Sequence, residues 1–274
     1  MNTSQYWFGT SKPYQIENSL RFNGDTANFL SRAQTSGSTV NDDKNFTFST
    51  WYKHGDLQEN CIFGLHTSPE NWLLRWSISN GFDTRQSSVQ AFTGSHKARD
   101  PYGWYHLFLT MTNGTVKLFI NNVEQPTSFS HTGLTGNFVI GAETNAGGTP
   151  MDGLLAETHF VYGTVLNAVN DNFIEVTDEN IVIPKDPKLS TADYGSEGWY
   201  FQYKPAHFTT SGSTTTLHDQ SGNDNDFTAH NFTTTGANND VKQDSPTVNY
   251  ALLDPLWSQA GYGSTLRDGN QQLV

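Results

Sequence analysis

The chain has 274 residues, and its 15 Lys and Arg against 27 Asp and Glu give a formal net charge of −12. Nucleic-acid affinity depends on clustered cations, so this charge argues against a DNA- or RNA-binding role. Only 15% of the residues are charged, whereas 13% are aromatic and 24 are glycine. This composition favours strands and turns over long solvent-facing helices.

The cysteine content and the N-terminal sequence bear on which covalent links, metal sites and targeting segments the chain can have. Cys61 is the only cysteine, which excludes an intrachain disulfide and a multi-cysteine zinc site. The N-terminal residues lack the basic and apolar regions of a signal peptide, and no run approaches the ~18 apolar residues of a membrane span. We therefore expect synthesis in a cytoplasm without a signal peptide, and no membrane partner.

Alternation of apolar and polar residues predicts strands along the first 162 residues. Phe46, Phe48 and Tyr52 share one strand face, and Trp51 lies on the other. The clearest element is a hairpin over residues 104–123, in which Asn113 and Gly114 form the turn between two alternating runs. Further strands are predicted at residues 19–22, 61–65, 72–77, 87–92, 137–140 and 154–162.

The residue pattern of the strand-rich first part changes near residue 176, where we place a boundary. A short helix is predicted at residues 168–175, and strands follow at residues 181–184 and 199–203. Many strands with polar turns predict an all-β fold, an antiparallel β-sandwich or jelly roll over residues 1–175. Residues 176–274 are predicted to be a C-terminal appendage of strands and an extended, irregular arm.

The arm is poor in apolar residues from Thr209 onward. Ordering each residue costs roughly 1–2 kcal/mol of backbone entropy, so we expect the arm to lie against another chain or against residues 1–175. Its best partner-binding anchor is Pro255, Leu256 and Trp257, where a stiff backbone carries two large apolar groups.

Motifs of enzymes are mostly missing from the sequence. Glycosidases need two carboxylates at one sugar bond, but Glu157 is followed at the second and fourth positions by His159 and Val161. A lone Glu beside a His on a sheet face is more often a structural pair than an acid–base couple. We therefore predict no catalytic residue and no enzymatic activity. If the chain is an enzyme after all, glycoside hydrolysis is the alternative hypothesis.

In the segment at residues 219–226, side chains with oxygen atoms that could bind calcium alternate as they do in a calcium-binding loop. Its glycine comes too early for an EF-hand, and His230 stands at the twelfth position, where a bidentate Glu is needed. A hydrogen-bonded turn is the favoured interpretation.

Several stretches occur in a fixed order along the first part of the chain, at residues 19–24, 46–51, 103–106, 115–123, 140–141 and 152–160. Together they resemble the laminin-G-like, concanavalin A-type lectin/glucanase domain. The resemblance implies a concanavalin A-like sandwich over about residues 15–175 and a lectin-like domain, but it implies no reaction.

Three further motifs follow in the C-terminal part: Gly-Trp-Tyr at residues 198–200, the Asp-rich segment 219–227 and the segment 244–256. Together they give a narrower resemblance, to large virion proteins of tailed bacteriophages, especially from marine hosts. In many such proteins a SPRY-like sandwich follows the last segment.

This narrower resemblance implies a non-enzymatic protein of the virion surface, a capsid decoration or a head or tail fibre component. Its role would be particle architecture, glycan adhesion or both. The partners implied are other virion proteins, further copies of the chain in a homo-oligomer, and a host surface glycan. The alternatives are a polysaccharide depolymerase of a phage tail and a free carbohydrate-binding module.

Calcium is the one cofactor considered. Turns rich in oxygen atoms make Asp25 and Glu157 candidate calcium ligands at a sandwich edge. Related domains often carry an Asp before this Glu, whereas the present chain has Ala156. No carbohydrate-binding residues are assigned, because the tryptophans that could stack on a sugar are more often core residues.

Overall fold

A computed structural model shows that strands dominate the fold. Of the described residues, 49% lie in strands and 4% in helices, which confirms the all-β prediction. The described residues are 14–24, 28–35, 44–56, 58–67, 70–77, 81–86, 89–93, 98, 100, 103–126, 136–169, 173–236, 239–249, 266–267 and 272–273.

The described residues form twenty-one strands, one short α-helix and one 3-10 helix at Pro205–His207. No helix among the described residues has the length and apolar character to cross a membrane. In chain order the elements are β1 (Ser19–Phe22), β2 (Phe29–Ala33), β3 (Phe46–His54), β4 (Asn60–Thr67), β5 (Glu70–Ser77), β6 (Gly81–Gln86), β7 (Val89–Thr93), β8 (Tyr105–Thr112), β9 (Thr115–Ile120), β10 (Val123–Glu124), β11 (Asn137–Ile140), β12 (Gly153–Tyr162), β13 (Ile174–Val176), β14 (Val182–Pro184), α1 (Thr191–Tyr194), β15 (Trp199–Phe201), β16 (Phe208–Ser211), β17 (Thr214–Leu217), β18 (Phe227–His230), β19 (Val241–Lys242), β20 (Leu266–Arg267) and β21 (Gln272–Leu273).

Two antiparallel sheets contain most of these strands. Sheet A has eight strands in the order β10-β9-β8-β3-β12-β1-β19, with β15 also paired to β12. Sheet B has nine strands in the order β16-β17-β18-β2-β11-β4-β5-β6-β7. Strands from beyond residue 176 therefore belong to both sheets: β15 and β19 join sheet A, and β16, β17 and β18 join sheet B.

The core lies between the two sheets and is rich in aromatic rings. Phe48 of sheet A stacks on Phe63 of sheet B at a centroid distance of 4.4 Å. Phe160 of sheet A meets Phe138 of sheet B at 5.1 Å. Such pairs of rings stabilise a core beyond the area that they bury. The predicted antiparallel β-sandwich is confirmed.

The strongest sequence patterns occur where they were predicted. Phe48 and Tyr52 of β3 lie in the core, whereas Trp51 lies on the outer face of sheet A. Asn113 and Gly114 join β8 to β9 with φ angles of 49° and 86°. Both angles are positive, as a two-residue hairpin turn requires.

The helix predicted at residues 168–175 is wrong. Ile174 begins β13, which pairs with β14, and the carbonyl of Ala168 accepts the backbone N–H groups of both Phe173 and Ile174. The apolar residues of this stretch cover the outer face of sheet A instead of forming a helix face. The outer cluster that they form contains Ile16, Trp51, Phe108, Ala156, Ala168, Phe173 and Ile174.

A buried ion pair holds the edge of sheet A. Leu20 of β1 pairs with Val241 of β19, and the guanidinium of Arg21 donates to Asp240 Oδ1 from Nε at 2.9 Å and from Nη2 at 2.5 Å. Both side chains are less than 10% exposed. Removing one member of a buried ion pair would leave the other charge unpaired in the interior. This contact therefore fixes the position of β19 beside β1.

Candidate functional site

An irregularity in β12 places Glu157 on the outer face of sheet A. The register with β3 shifts between Ala156 and His159, and Glu157 has a φ of 47°. On its other edge, β12 pairs with β1 up to Leu155 and with β15 from Thr158 onward. Glu157 therefore lies where one neighbouring strand replaces another, and bulges at such places redirect side chains.

On this face, Glu157, His159, Tyr194 and Tyr200 form what we call the Glu157 cluster. The hydroxyl of Tyr14 is also hydrogen-bonded to Glu157 and to Tyr200. Glu157 Oε2 accepts a hydrogen bond from the Tyr200 hydroxyl and lies 3.5 Å from His159 Nε2. His159 Nδ1 lies 2.9 Å from the Tyr194 hydroxyl. The His159 ring also stacks on the Tyr200 ring with centroids 4.0 Å apart.

Burial shifts the pKa values of the histidine and the two tyrosines of the Glu157 cluster. Desolvation lowers the pKa of His159, although its hydrogen bond with Glu157 opposes the shift. Desolvation raises the pKa values of Tyr194 and Tyr200, and the nearby Glu157 raises them further. At neutral pH both tyrosines are therefore hydrogen-bond donors. A neutral His159 that accepts from Tyr194 at Nδ1 carries its proton on Nε2, facing Glu157.

The chemistry open to the Glu157 carboxylate follows from its surroundings. The residue is 6% exposed, and its Oε2 is already occupied by Tyr200 and faces His159. A glycosidase acid must instead reach the oxygen of a bound sugar, and its partner carboxylate must lie roughly 5–10 Å away. The arrangement is that of a buried hydrogen-bond acceptor which ties β12 to β15.

The oxygen-rich segment 219–226 uses its carboxylates within the chain. Asp219 accepts backbone N–H groups from Tyr200, Ser221 and Asn225. Asp226 accepts the N–H of Asp219 and lies 2.8 Å from His218 Nδ1. This pattern is that of a hydrogen-bonded turn, and it fixes the segment beside β15.

Of the two candidate calcium ligands, only Glu157 lies among the described residues. Asp25 lies outside the described residues. Among the described residues, no group of three or more His, Cys, Asp or Glu side chains is arranged to hold a metal ion. Calcium at Asp25 and Glu157 stays a prediction.

The anchor predicted at Pro255, Leu256 and Trp257 lies outside the described residues. Of the tryptophans considered for sugar stacking, Trp51, Trp72, Trp76 and Trp199 are all buried. Their side chains therefore contribute to packing.

A comparison with family models decides the classification. The model for the concanavalin A-like lectin/glucanases superfamily, of the laminin G type, matches residues 23–169. The chain belongs to this family. No curated protein matches the chain.

Solved structures similar to this lectin-like chain come from several organisms. A Trypanosoma rangeli sialidase in complex with 2,3-difluorosialic acid is 17% identical, with a TM-score of 0.44, and the match covers 57% of this chain and 27% of the sialidase. A heptameric SAP-like pentraxin from Limulus polyphemus is 15% identical, with a TM-score of 0.37 over 63% of this chain and 94% of the pentraxin. Domains LG4-5 of the mouse laminin α1 chain are 8% identical, with a TM-score of 0.40 over 53% and 41%. The chain thus spans about a quarter of the sialidase.

Sequence reasoning paired Glu157 with His159 but missed Tyr194 and Tyr200. Tyr200 lies 43 residues from Glu157 in the sequence. A signal was present, because Tyr200 belongs to the Gly-Trp-Tyr motif at residues 198–200. In this concanavalin A-like chain the motif forms β15 and closes the Glu157 cluster.

Proposed function

We propose that this chain is a non-enzymatic surface protein of a tailed-bacteriophage virion, either a capsid decoration or a head or tail fibre component. Its lectin-like sandwich would serve particle architecture, glycan adhesion or both. The observation that carries the non-enzymatic part is the burial of Glu157 beneath Tyr200 and beside His159. A carboxylate held in this way is not available to protonate a sugar oxygen.

The contacts among the virion-type motifs support the virion assignment. Asp219 of the second motif accepts the backbone N–H of Tyr200 in the first. Asn223 and Asn225 of the second motif donate to the carbonyl of Gly198 in the first, at 3.0 and 2.8 Å. The motifs therefore depend on each other in three dimensions. This dependence gives a physical reason for their joint occurrence in the group of virion proteins that the sequence resembles.

The charge of the chain is compatible with display on a particle. A net charge of −12 keeps copies soluble. The low content of charged residues makes contacts with neighbours depend on hydrogen bonds and apolar groups, which salt screens little. Other virion proteins, further copies of the chain and a host glycan are the partners proposed.

Locating the chain in the intact particle tests this proposal. Virions of the phage that encodes it would be purified, their proteins identified by mass spectrometry, and the sandwich located in a cryo-electron microscopy reconstruction. We expect density for both sheets on the outer surface of the head or tail. Absence of the protein from purified virions would contradict the virion assignment.

Glycan adhesion is tested separately with the purified chain. Host cells and their extracted surface polysaccharide would be incubated with the full chain, and bound protein would be measured after washing. Binding without loss of polymer length supports an adhesive role. A chain that lies on the particle but binds no host glycan has the architectural role alone.

A further inference from the structure

Three reactive groups meet on the outer face of sheet A, away from the Glu157 cluster. Lys53 of β3 has a fully buried side chain. Its Nζ lies 2.8 Å from Asp244 Oδ2 and 2.6 Å from Asn249 Oδ1. The two partners are 191 and 196 residues away in the sequence. The fold thus brings together an amine, a carboxylate and a carboxamide that are far apart in the sequence.

The segment that carries Asp244 and Asn249 is fixed by its own hydrogen bonds. Ser245 and Val248 exchange backbone N–H and carbonyl groups in both directions at 3.0 Å. The Ser245 hydroxyl donates to the carbonyl of Ile16 at 2.6 Å. The tight turn therefore holds the carboxylate and the carboxamide at a set spacing above Lys53, and a preset geometry of this kind lowers the entropy cost of a reaction.

Burial shapes the electrostatics around the amine. The Asp244 side chain is also fully buried, and its Oδ1 accepts the indole N–H of Trp104 at 3.2 Å. The Trp104 ring centroid lies 5.9 Å from Lys53 Nζ. Desolvation lowers the pKa of Lys53, against the opposing effect of Asp244. Passing the proton from the ammonium to Asp244 leaves a neutral amine, the nucleophilic form of lysine.

We propose that Lys53 and Asn249 join in an intramolecular isopeptide bond, with Asp244 as the proton carrier. The lone pair of Nζ attacks Cγ of Asn249, so that the Nζ–Cγ bond forms and the Cγ–Nδ2 bond breaks. Asp244 carries the two protons that Nζ loses, one before the attack and one as the tetrahedral intermediate collapses, to the departing nitrogen, which leaves as an ammonium ion. Asp244 ends the reaction unchanged, and no oxidant, reductant or co-reactant is consumed.

The distances suit this reaction. A carbonyl bond is about 1.2 Å long, so Cγ of Asn249 lies at most ~3.8 Å from Nζ, close to the approach distance of a reactive pair. Asn249 is partly exposed to solvent, which gives the ammonia a way out. Asp244 is fully buried and hydrogen-bonded at both oxygens, so it is the carrier and Asn249 is the electrophile.

A bond between Lys53 and Asn249 would enclose most of the chain in one covalent loop. It would connect β3 to the segment that follows β19, across a sequence separation of 196 residues. A crosslink over a long loop restricts the unfolded chain and so favours the folded one. This self-modification goes beyond the proposed virion role and does not depend on it.

Mass spectrometry of the purified full chain tests the bond. We expect an intact mass lower than that of the sequence by one ammonia, about 17 Da. Trypsin should then release one species that joins residues 45–75, uncut at Lys53, to residues 243–267. An intact mass equal to that of the sequence would overturn the proposal. Loss of water instead of ammonia, or a loss confined to residues 243–267, would overturn it as well.

Variants assign the roles of the individual residues. Asn249→Ala should have the full mass of its sequence and melt about 10 °C or more below the wild type. Gln243→Ala, in the same segment, should keep the loss of ammonia. Asp244→Asn should also have the full mass of its sequence. An ammonia loss with the Lys53–Asn249 link retained in Asp244→Asn would refute the role of Asp244 as proton carrier.

Discussion

At the scale of single residues, the Glu157 cluster shows how hydrogen bonds accommodate a buried acidic side chain. A carboxylate beneath an apolar cover is costly unless hydrogen bonds replace the lost water. Tyr200 supplies one such bond, and His159 lies against both Glu157 and the Tyr200 ring. The tyrosine is therefore as important to the site as the acid itself.

Removing the Tyr200 hydroxyl should destabilise the fold. In Tyr200→Phe the buried Glu157 loses one of its donors and keeps its hydrogen bond with Tyr14, and an incompletely satisfied buried acceptor costs about 1–3 kcal/mol. We expect the free energy of unfolding in urea to fall by about this amount. The double variant Tyr200→Phe/Glu157→Gln should lose less than the sum of the two single variants, because their contributions are coupled. An unchanged urea midpoint in Tyr200→Phe would contradict the role given to this bond.

At the scale of secondary-structure elements, the predictable strands are those with a strong period of two. The hairpin of β8 and β9 was predictable because its apolar residues alternate on both sides of Asn113 and Gly114. The helix predicted at residues 168–175 failed because Phe173 and Ile174 contact the outer cluster. Ile174 begins β13, and both side chains pack in the outer cluster, so their spacing does not mark a helix face.

The strands of the C-terminal part were harder to find for a physical reason. In β18 only Phe227 and Ala229 are buried, between half-buried Thr228 and His230. Two apolar residues in a strand of four are too few for a pattern. Their burial comes from pairing with β2 and β17. Likewise, alternation placed Glu157 and His159 on one face, but no local pattern could supply a partner 43 residues away.

Deleting the C-terminal strands should disrupt the sandwich. A chain of residues 1–175 loses Trp199, Phe201, Leu217 and Phe227 from the core, and it also loses β15 as a partner of β12 and β18 as a partner of β2. We expect broad, non-cooperative thermal unfolding, because large core side chains contribute about 3–5 kcal/mol each. A chain of residues 1–249 is the matched control and should unfold cooperatively. Cooperative unfolding of residues 1–175, like that of the control, would contradict this expectation.

At the scale of the whole molecule, buried histidines couple stability to pH. Burial lowers the pKa values of His54 and His106 from 6.5 to about 3. Below about pH 6.5 the unfolded chain therefore binds protons that the folded chain excludes, and stability falls with falling pH. Between pH 7 and pH 5 each histidine should remove about 2 kcal/mol of the free energy of unfolding.

Urea unfolding at pH 7, 6 and 5 measures this dependence. His106→Gln should show a shallower decline than the wild type, by about 1.4 kcal/mol per pH unit near pH 5. Equal slopes for the two proteins would mean that His106 is not kept neutral in the folded chain.

The proposal as a whole depends on a lectin-like sandwich that lacks hydrolytic activity. The most direct measurement is the release of reducing ends from host surface polysaccharide by the purified full chain, with Glu157→Gln as the matched variant. We expect no release above the buffer blank from either protein, because Glu157 is buried and hydrogen-bonded to Tyr200. Release by the wild type that Glu157→Gln abolishes would contradict this and make the chain a depolymerase.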